Sequence, residues 1–100
     1  MSKKTLNKSD IIEEIALTFG IPKSRSERIV NSIFTEMIQS LKDGDRIEFR
    51  GFGSFVAKEY EGYVGRNPDT GKETIVPAKR RIRFRMSEVL FSELNKDLDG

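Results

Sequence analysis

The feature that most limits how this chain can fold is a pair of long, polar, extended stretches around one turn. Residues 54–66 read as one strand and residues 72–85 as its return, joined by Gly65-Arg66-Asn67-Pro68-Asp69-Thr70-Gly71-Lys72. At about 3.3 Å per residue the first stretch reaches roughly 40 Å, whereas a typical strand has about five or six residues. A chain of 100 residues makes one small domain, and a domain of that size buries only about two-thirds of its unfolded surface. Little body is left to cover such a ribbon. Its outer half, Lys58-Glu59-Tyr60-Glu61-Gly62-Tyr63-Val64-Gly65, is too polar to form a core. The hairpin is therefore expected to protrude as an arm, and, since a lone two-stranded ribbon is marginal in water, to stay mobile until something holds it. Pro77 interrupts its ladder, which is tolerable at an edge or bulge.

Helices precede the arm. Asn7 with Asp10 reads as an N-cap and its capping-box acid. Ile11, Ile12, Ile15, Ala16 and Phe19 then keep helical spacing up to Gly20, a C′ glycine. Pro22 suits the mouth of a second helix, which carries Ile29, Val30, Ile33, Phe34, Met37, Ile38 and Leu41 and stops at Gly44. Its apolar pairs at 29/30, 33/34 and 37/38 cover more than one contact line, so the helix is expected to face two surfaces, its own sheet and a second copy. The alternative is a core helix of a monomer. The expected dimer core is Val30, Ile33, Phe34, Met37, Ile38 and Leu41, together with Phe52.

In RIEFRGFGSF, Ile47 and Phe49 alternate with Arg46, Glu48 and Arg50, the pattern of a short half-buried strand, and Gly51-Phe52-Gly53 makes a turn. Phe49, Phe52 and Phe55 read as core, with stacking on bases as the sharper alternative. Ser87 caps a last helix with Val89, Leu90, Phe91 and Leu94 on its apolar side, and residues 95–100 form a polar tail. The fold class is α+β: two N-terminal helices, a three-stranded antiparallel sheet with the long hairpin arm, and a short C-terminal helix. It is a single domain over 1–100, divided into a helical part at 1–45, sheet and arm at 46–85, and the last helix at 87–95.

Composition narrows the chemistry. Cys and His are both absent, which removes disulfides, thiolate metal sites and the commonest general base. There is no phosphate-binding Gly loop, nucleophile–base pair or ligand cluster, and Glu13 and Glu14 fall on different helix faces. No enzyme activity, cofactor, metal or small-molecule substrate is expected. No apolar run approaches the roughly 20 residues of a membrane span. Lys3 and Lys4 begin like a signal peptide, but Asn7, Lys8, Asp10, Glu13 and Glu14 leave no apolar segment behind them. A cytoplasmic protein without membrane contact is expected.

The net charge of +2 hides an asymmetry: residues 56–85 carry eight basic and four acidic side chains, and the rest carries ten and twelve. A basic segment on a slightly acidic body suits a polyanion. In KRRIRFR, Lys79, Arg81, Arg83 and Arg85 alternate onto one face, with Arg80, Ile82 and Phe84 on the other. Cations on alternate strand residues stand about 6.6 Å apart, close to the spacing of successive phosphates, so such a row can follow a DNA backbone. The plainer reading is a solvated edge that discourages aggregation. A β-ribbon can also lie in a groove of duplex DNA. In that setting Pro68 can be an apolar wedge between base pairs, or only the corner of a type I turn with Gly71 in αL conformation. The residues alone leave both open.

GFGSF, GRNPDTGK and the following Ile75-Val76-Pro77-Ala78 resemble the signature of the bacterial HU and integration host factor family, and the order of elements matches from Asn7 to Leu94. RIEFRGFGSF resembles the beta subunit of integration host factor more than HU. The resemblance implies an intertwined dimer, homodimeric or with a paralogous subunit, whose arms embrace double-stranded DNA in the minor groove and bend it. It implies Pro68 as the intercalating residue, with Arg66 and Asn67 touching DNA beside it. Lys58, Lys72, Lys79, Arg80, Arg81, Arg83 and Arg85 match the arm and saddle along the DNA path. Lys8 matches a contact to flanking phosphates, and Glu48 and Arg50 match positions that help read a preferred site. A place in the bacterial nucleoid, with assistance to recombination, replication or transcription, follows from the same resemblance.

Three departures qualify it. Met86-Ser87 replaces the usual Pro-Gly, with Glu88 where a basic residue is common, so phosphate contacts at the last helix are not carried over. Tyr60 and Tyr63 stand where HU arms often carry Arg, so contact with less electrostatic pull is expected, and the extra cations Arg81 and Arg83 compensate. A module binding RNA or single strands by stacking on Phe or Tyr is the rival reading.

Overall fold

A computed structural model describes residues 4–98. Lys3 and the last two residues of the expected polar tail lie outside the described residues. The elements run α1 (Lys8–Phe19), α2 (Lys23–Lys42), β1 (Ile47–Phe49), β2 (Gly53–Tyr60), β3 (Tyr63–Arg66), β4 (Glu73–Val76), β5 (Lys79–Met86) and α3 (Glu88–Asn95). The chain forms two compact units that divide after Gln39, inside α2.

In the first unit, α1 begins and ends as its sequence dictates. The Asn7 amide donates to Asp10 Oδ2 at 2.8 Å, and the Asp10 amide donates to the Asn7 carbonyl at 3.0 Å, so the acid's half of the capping box closes the first turn. Gly20 takes a left-handed φ of 62°, and the Ile21 amide turns back to the Ala16 carbonyl at 3.1 Å. The Pro22 carbonyl accepts from the amides of Arg25 and Ser26 at 3.0 and 3.1 Å and so opens α2. Ser26 is fully buried, and its hydroxyl donates to the Ile12 carbonyl at 2.6 Å. That bond satisfies a hydroxyl whose unpaired burial costs about 1–3 kcal/mol. Ile12 and Val30 are buried beside it in the sequence pattern, at 4% and 2% exposure. Val30, expected in the dimer core, is thus already covered within the single chain.

The other expected dimer-core residues behave differently. Ile33, Phe34 and Ile38 are 41–59% exposed, Phe52 is 47% exposed, and Met37 and Leu41 are half-buried. Ile33, Phe34 and Ile38 thus form an exposed apolar stripe on α2, and Phe52 is exposed in the turn before β2.

The second unit holds the sheets. β1, β2 and β5 form an antiparallel sheet in the order β1-β2-β5. Registers Ile47↔Phe55↔Phe84, Phe49↔Gly53↔Met86 and Ala57↔Ile82 put the apolar residues on one face. Phe55 and Phe84 lie 4.8 Å apart by ring centroid, Phe52 and Phe84 5.6 Å, and Phe49 and Phe55 6.1 Å. Separations of this size suit edge and tilted ring contacts. The turn before β2 is Phe49–Phe52, closed by the Phe52 amide on the Phe49 carbonyl at 2.9 Å with Gly51 at φ 82°, a type II geometry. It falls two residues earlier than the expected Gly51-Phe52-Gly53 turn. Ser87 caps α3 by accepting from the Leu90 amide at 3.0 Å.

The arm departs from two unbroken strands. β2 stops at Tyr60 and β5 starts at Lys79, while β3 and β4 form a separate two-stranded sheet beyond them. Pro77 has no amide to give the ladder. Opposite it, a Cβ on Gly62 would stand 2.7 Å from the Val76 carbonyl oxygen and 2.9 Å from the Ala78 nitrogen. The two backbones therefore meet at an elbow, Glu61-Gly62 against Pro77-Ala78, that only glycine admits. Among the described residues no helix is long and apolar enough to cross a membrane.

Gly53 sits under the aromatic cluster: a Cβ there would stand 2.6 Å from the Arg85 carbonyl oxygen and 2.7 Å from the Phe84 ring. Gly53→Ala is expected to destabilise the protein by about 2 kcal/mol through overpacking, a fall in Tm of roughly 10 °C. Thermal unfolding at fixed protein concentration checks this; an unchanged Tm would show that the cluster yields freely.

Candidate nucleic-acid interface

The second face of the three-stranded sheet is cationic. Registers Lys58↔Arg81, Val56↔Arg83, Ser54↔Arg85 and Tyr60↔Lys79 place Lys58, Lys79, Arg81, Arg83 and Arg85 together, opposite the phenyl rings. Among the described residues none of these five has an ion-pair partner. Lys58 and Arg81 are direct cross-strand neighbours, an arrangement that repels. The Lys58 ammonium lies 5.8 Å from the Tyr60 ring centroid, which offsets a little of that repulsion. A face that keeps uncompensated like charges side by side is built for an anion with repeated charges.

At the far end the tip is a closed loop. The Asn67 amide donates to the Lys72 carbonyl at 2.9 Å and the Gly71 amide to the Asn67 carbonyl at 2.8 Å. Asn67 Oδ1 accepts from the Asp69 amide at 2.8 Å, an Asx turn that fixes Pro68 at the corner. Gly71 has φ 73°, the left-handed conformation that the plain-turn reading of the tip gave it. Behind the corner, Arg66 and Glu73 are paired in register and bridge at 3.4 Å. Tyr63 and Val64 are exposed, and so is Ile75.

At the sheet's other end, Glu48 stands across from Ser54 on the cationic face and is held by Arg46 at 3.3 Å. Arg46, Glu48, Arg50, Ser54, Arg85 and Ser87 line one shallow depression there. The Ser87 amide donates to the Phe52 carbonyl at 2.9 Å. The Ser87 side chain accepts from the Leu90 amide, so both Ser87 groups are engaged within the chain.

Arg80 and Lys8, both predicted from sequence, are engaged by protein groups. Arg80 points to the ring face, and its guanidinium donates to the Lys42 carbonyl at 3.0 Å, where α2 ends. That is a helix C-terminal cap. Lys8, in the first unit, donates to Asn31 Oδ1 at 2.9 Å. Conversely, Arg46, Gly62 and Glu73 were not singled out from sequence. Arg46 was detectable, because it alternates with Glu48 and Arg50. Gly62 and Glu73 acquire meaning only once the register across the hairpin is known.

The family model described as Bacterial DNA-binding protein matches residues 6–95. Integration host factor subunit alpha of Myxococcus xanthus is 42% identical over 90 residues, covering 90% of this chain and 70% of the relative. DNA-binding protein HU-beta of Salmonella typhimurium is 39% identical over 90 residues, covering 90% of this chain and all of the relative (100%). The Anabaena HU–DNA cocrystal structure superposes with a TM-score of 0.74 at 25% identity, covering 89% of this chain and 97% of that one. The beta-subunit likeness of RIEFRGFGSF is local; across the whole chain the integration host factor relative named here is an alpha subunit.

The elbow offers a direct check on how the arm is built. Gly62→Ala forces the facing backbones apart, at about 1–3 kcal/mol, and the local pairing of β3 with β4 bears it. Amide exchange at Gly65 and Thr74, which alternation from the Asn67–Lys72 bond makes a hydrogen-bonded pair, is expected to accelerate at least several-fold, with exchange in β2 and β5 unchanged.

Proposed function

This chain belongs to the bacterial DNA-binding protein family of HU and integration host factor, and from that premise we propose that it acts as a dimer whose two arms clasp duplex DNA through the minor groove and bend it by inserting Pro68. Like the family, the chain is an architectural DNA-binding protein and not an enzyme. The observation that carries the finer reading is the unpaired cation row on one sheet face, from which a hairpin leads to a proline corner.

In this reading Lys58, Lys79, Arg81, Arg83 and Arg85 neutralise successive phosphates as the duplex crosses the sheet. Each contact releases counterions, so affinity comes mostly from charge, and preference comes mostly from how easily a sequence bends. Pro68 presents a rigid apolar ring with no amide to leave unpaired in the stack. Asn67 builds the corner that aims it, and Arg66, Lys72, Tyr60 and Tyr63 touch the backbone or groove alongside. Glu48 and Arg50, in the basic depression, bias site choice. Lys8 contacts flanking phosphate. Arg80, on the ring face and bonded to the Lys42 carbonyl, is left out of the contact row.

The exposed stripe of α2, with Ile33, Phe34 and Ile38, and exposed Phe52 before β2 support the dimer, whose partner is a second copy or a paralogue. The helical part, 1–45, serves dimerisation, and 46–85 serves DNA. The place of action is the bacterial nucleoid, in support of recombination, replication or transcription.

Single-strand binders interleave stacking aromatics with cations. Here Phe49, Phe55 and Phe84 occupy the face away from the cation row and, of the aromatics in these three strands, Tyr60 alone lies among the cations, which favours duplex over single strands.

Pro68→Ala is expected to cut the bend, measured by end-to-end energy transfer in a labelled duplex, to less than half, while affinity for random duplex changes only a few-fold. An unchanged bend would remove the wedge. Reversing Arg81 and Arg83 to Glu should weaken all duplex sequences alike, by at least 100-fold at low salt; a loss confined to one sequence would contradict a phosphate role.

A further inference from the structure

The arm's root and tip differ in charge. β2 and β5 carry six cations against one carboxylate, Glu59. Between Tyr63 and Val76, Arg66 and Lys72 are balanced by Asp69 and Glu73. The balance is specific in space: Arg66 Nη2 meets Glu73 Oε1 at 3.4 Å across the strand pair, with the two side chains 69% and 67% exposed. On the same face of this small sheet the adjacent register pair is Val64↔Ile75, and both are largely exposed.

We propose that Glu73 is a specificity-determining residue: it occupies the Arg66 guanidinium in competition with DNA phosphate, so that the tip engages only where the duplex yields. The inference rests on the reading that the tip enters the groove. An exposed ion pair is weak, and an arginine–phosphate contact is stronger, so Arg66 is transferable. Its transfer leaves the Glu73 carboxylate bare beside a polyanion. Contacts of Pro68, Val64 and Ile75 with an opened groove offset that penalty. A duplex that resists opening supplies none, and the tip stays off it. Glu73 therefore weakens binding to stiff or generic duplex more than binding to deformable sites, and it leaves the electrostatic grip to the root.

The test compares wild type, Glu73→Gln, Arg66→Gln and the double variant on two duplexes of equal length, one with flexible central TA steps and one without. Affinity is measured across a salt series and bending in parallel. Glu73→Gln is expected to raise affinity for the stiffer duplex by about 5-fold, to shrink the discrimination between the two duplexes by a similar factor, and to steepen the salt slope by about one per arm. In the Arg66→Gln background that steepening should vanish. An unchanged slope and discrimination, or a steepening that persists without Arg66, would overturn the role of Glu73. A wild-type protein that fails to bend either duplex would overturn the functional reading itself.

Discussion

The structure turns on one sheet that separates two incompatible surfaces. On one side Phe49, Phe52, Phe55 and Phe84 gather around Gly53; on the other Lys58, Lys79, Arg81, Arg83 and Arg85 have no ion-pair partner among the described residues, the carboxylate of Glu48 on that face being held by Arg46. The strand period of two is what makes the separation possible. Apolar packing holds the strands together and thereby holds the cations at fixed spacing against their own repulsion. A phosphate backbone relieves that repulsion.

The arm beyond is assembled differently from its root. Gly62 and Pro77 break the ladder, so β3 and β4 are paired only with each other. Order at the tip comes from local bonds, namely Asn67 with Lys72, the Asx turn at Asp69 and the Arg66–Glu73 bridge. These are contacts of modest strength, suited to a segment that rearranges on binding. In the proposed role, the ring of Pro68 keeps its shape while the strands behind it adapt to the groove.

Much of this was legible in the chain because the determinants are local. Asn7 and Asp10, Gly20, Gly44, Ser87, and the alternation of KRRIRFR each specify their own neighbourhood, and α1, the ends of α2, the start of α3 and the cation row follow. What required coordinates was long-range register. The elbow exists because Gly62 lies opposite Pro77-Ala78, and nothing in either segment alone announces that meeting. Glu73 gains its role from being placed across from Arg66. Alternation put Arg80 on the ring side, but its acceptor, the Lys42 carbonyl, lies 38 positions away in sequence. Val30 looked like part of a uniform stripe with Ile33 and Phe34; the single chain covers Val30 and leaves the other two open.

The central claim is that a fixed row of unpaired cations grips a phosphate backbone. It is tested most directly by the salt dependence of the unaltered protein's affinity for duplex DNA. Five cations each meeting one phosphate predict that log K falls linearly with log salt, with a slope of at least about −4 to −5 per chain engaged, to which any phosphate contacts of Lys8, Arg66 and Lys72 add. A slope shallower than about −1 would mean that the row meets no backbone, and the account would fail.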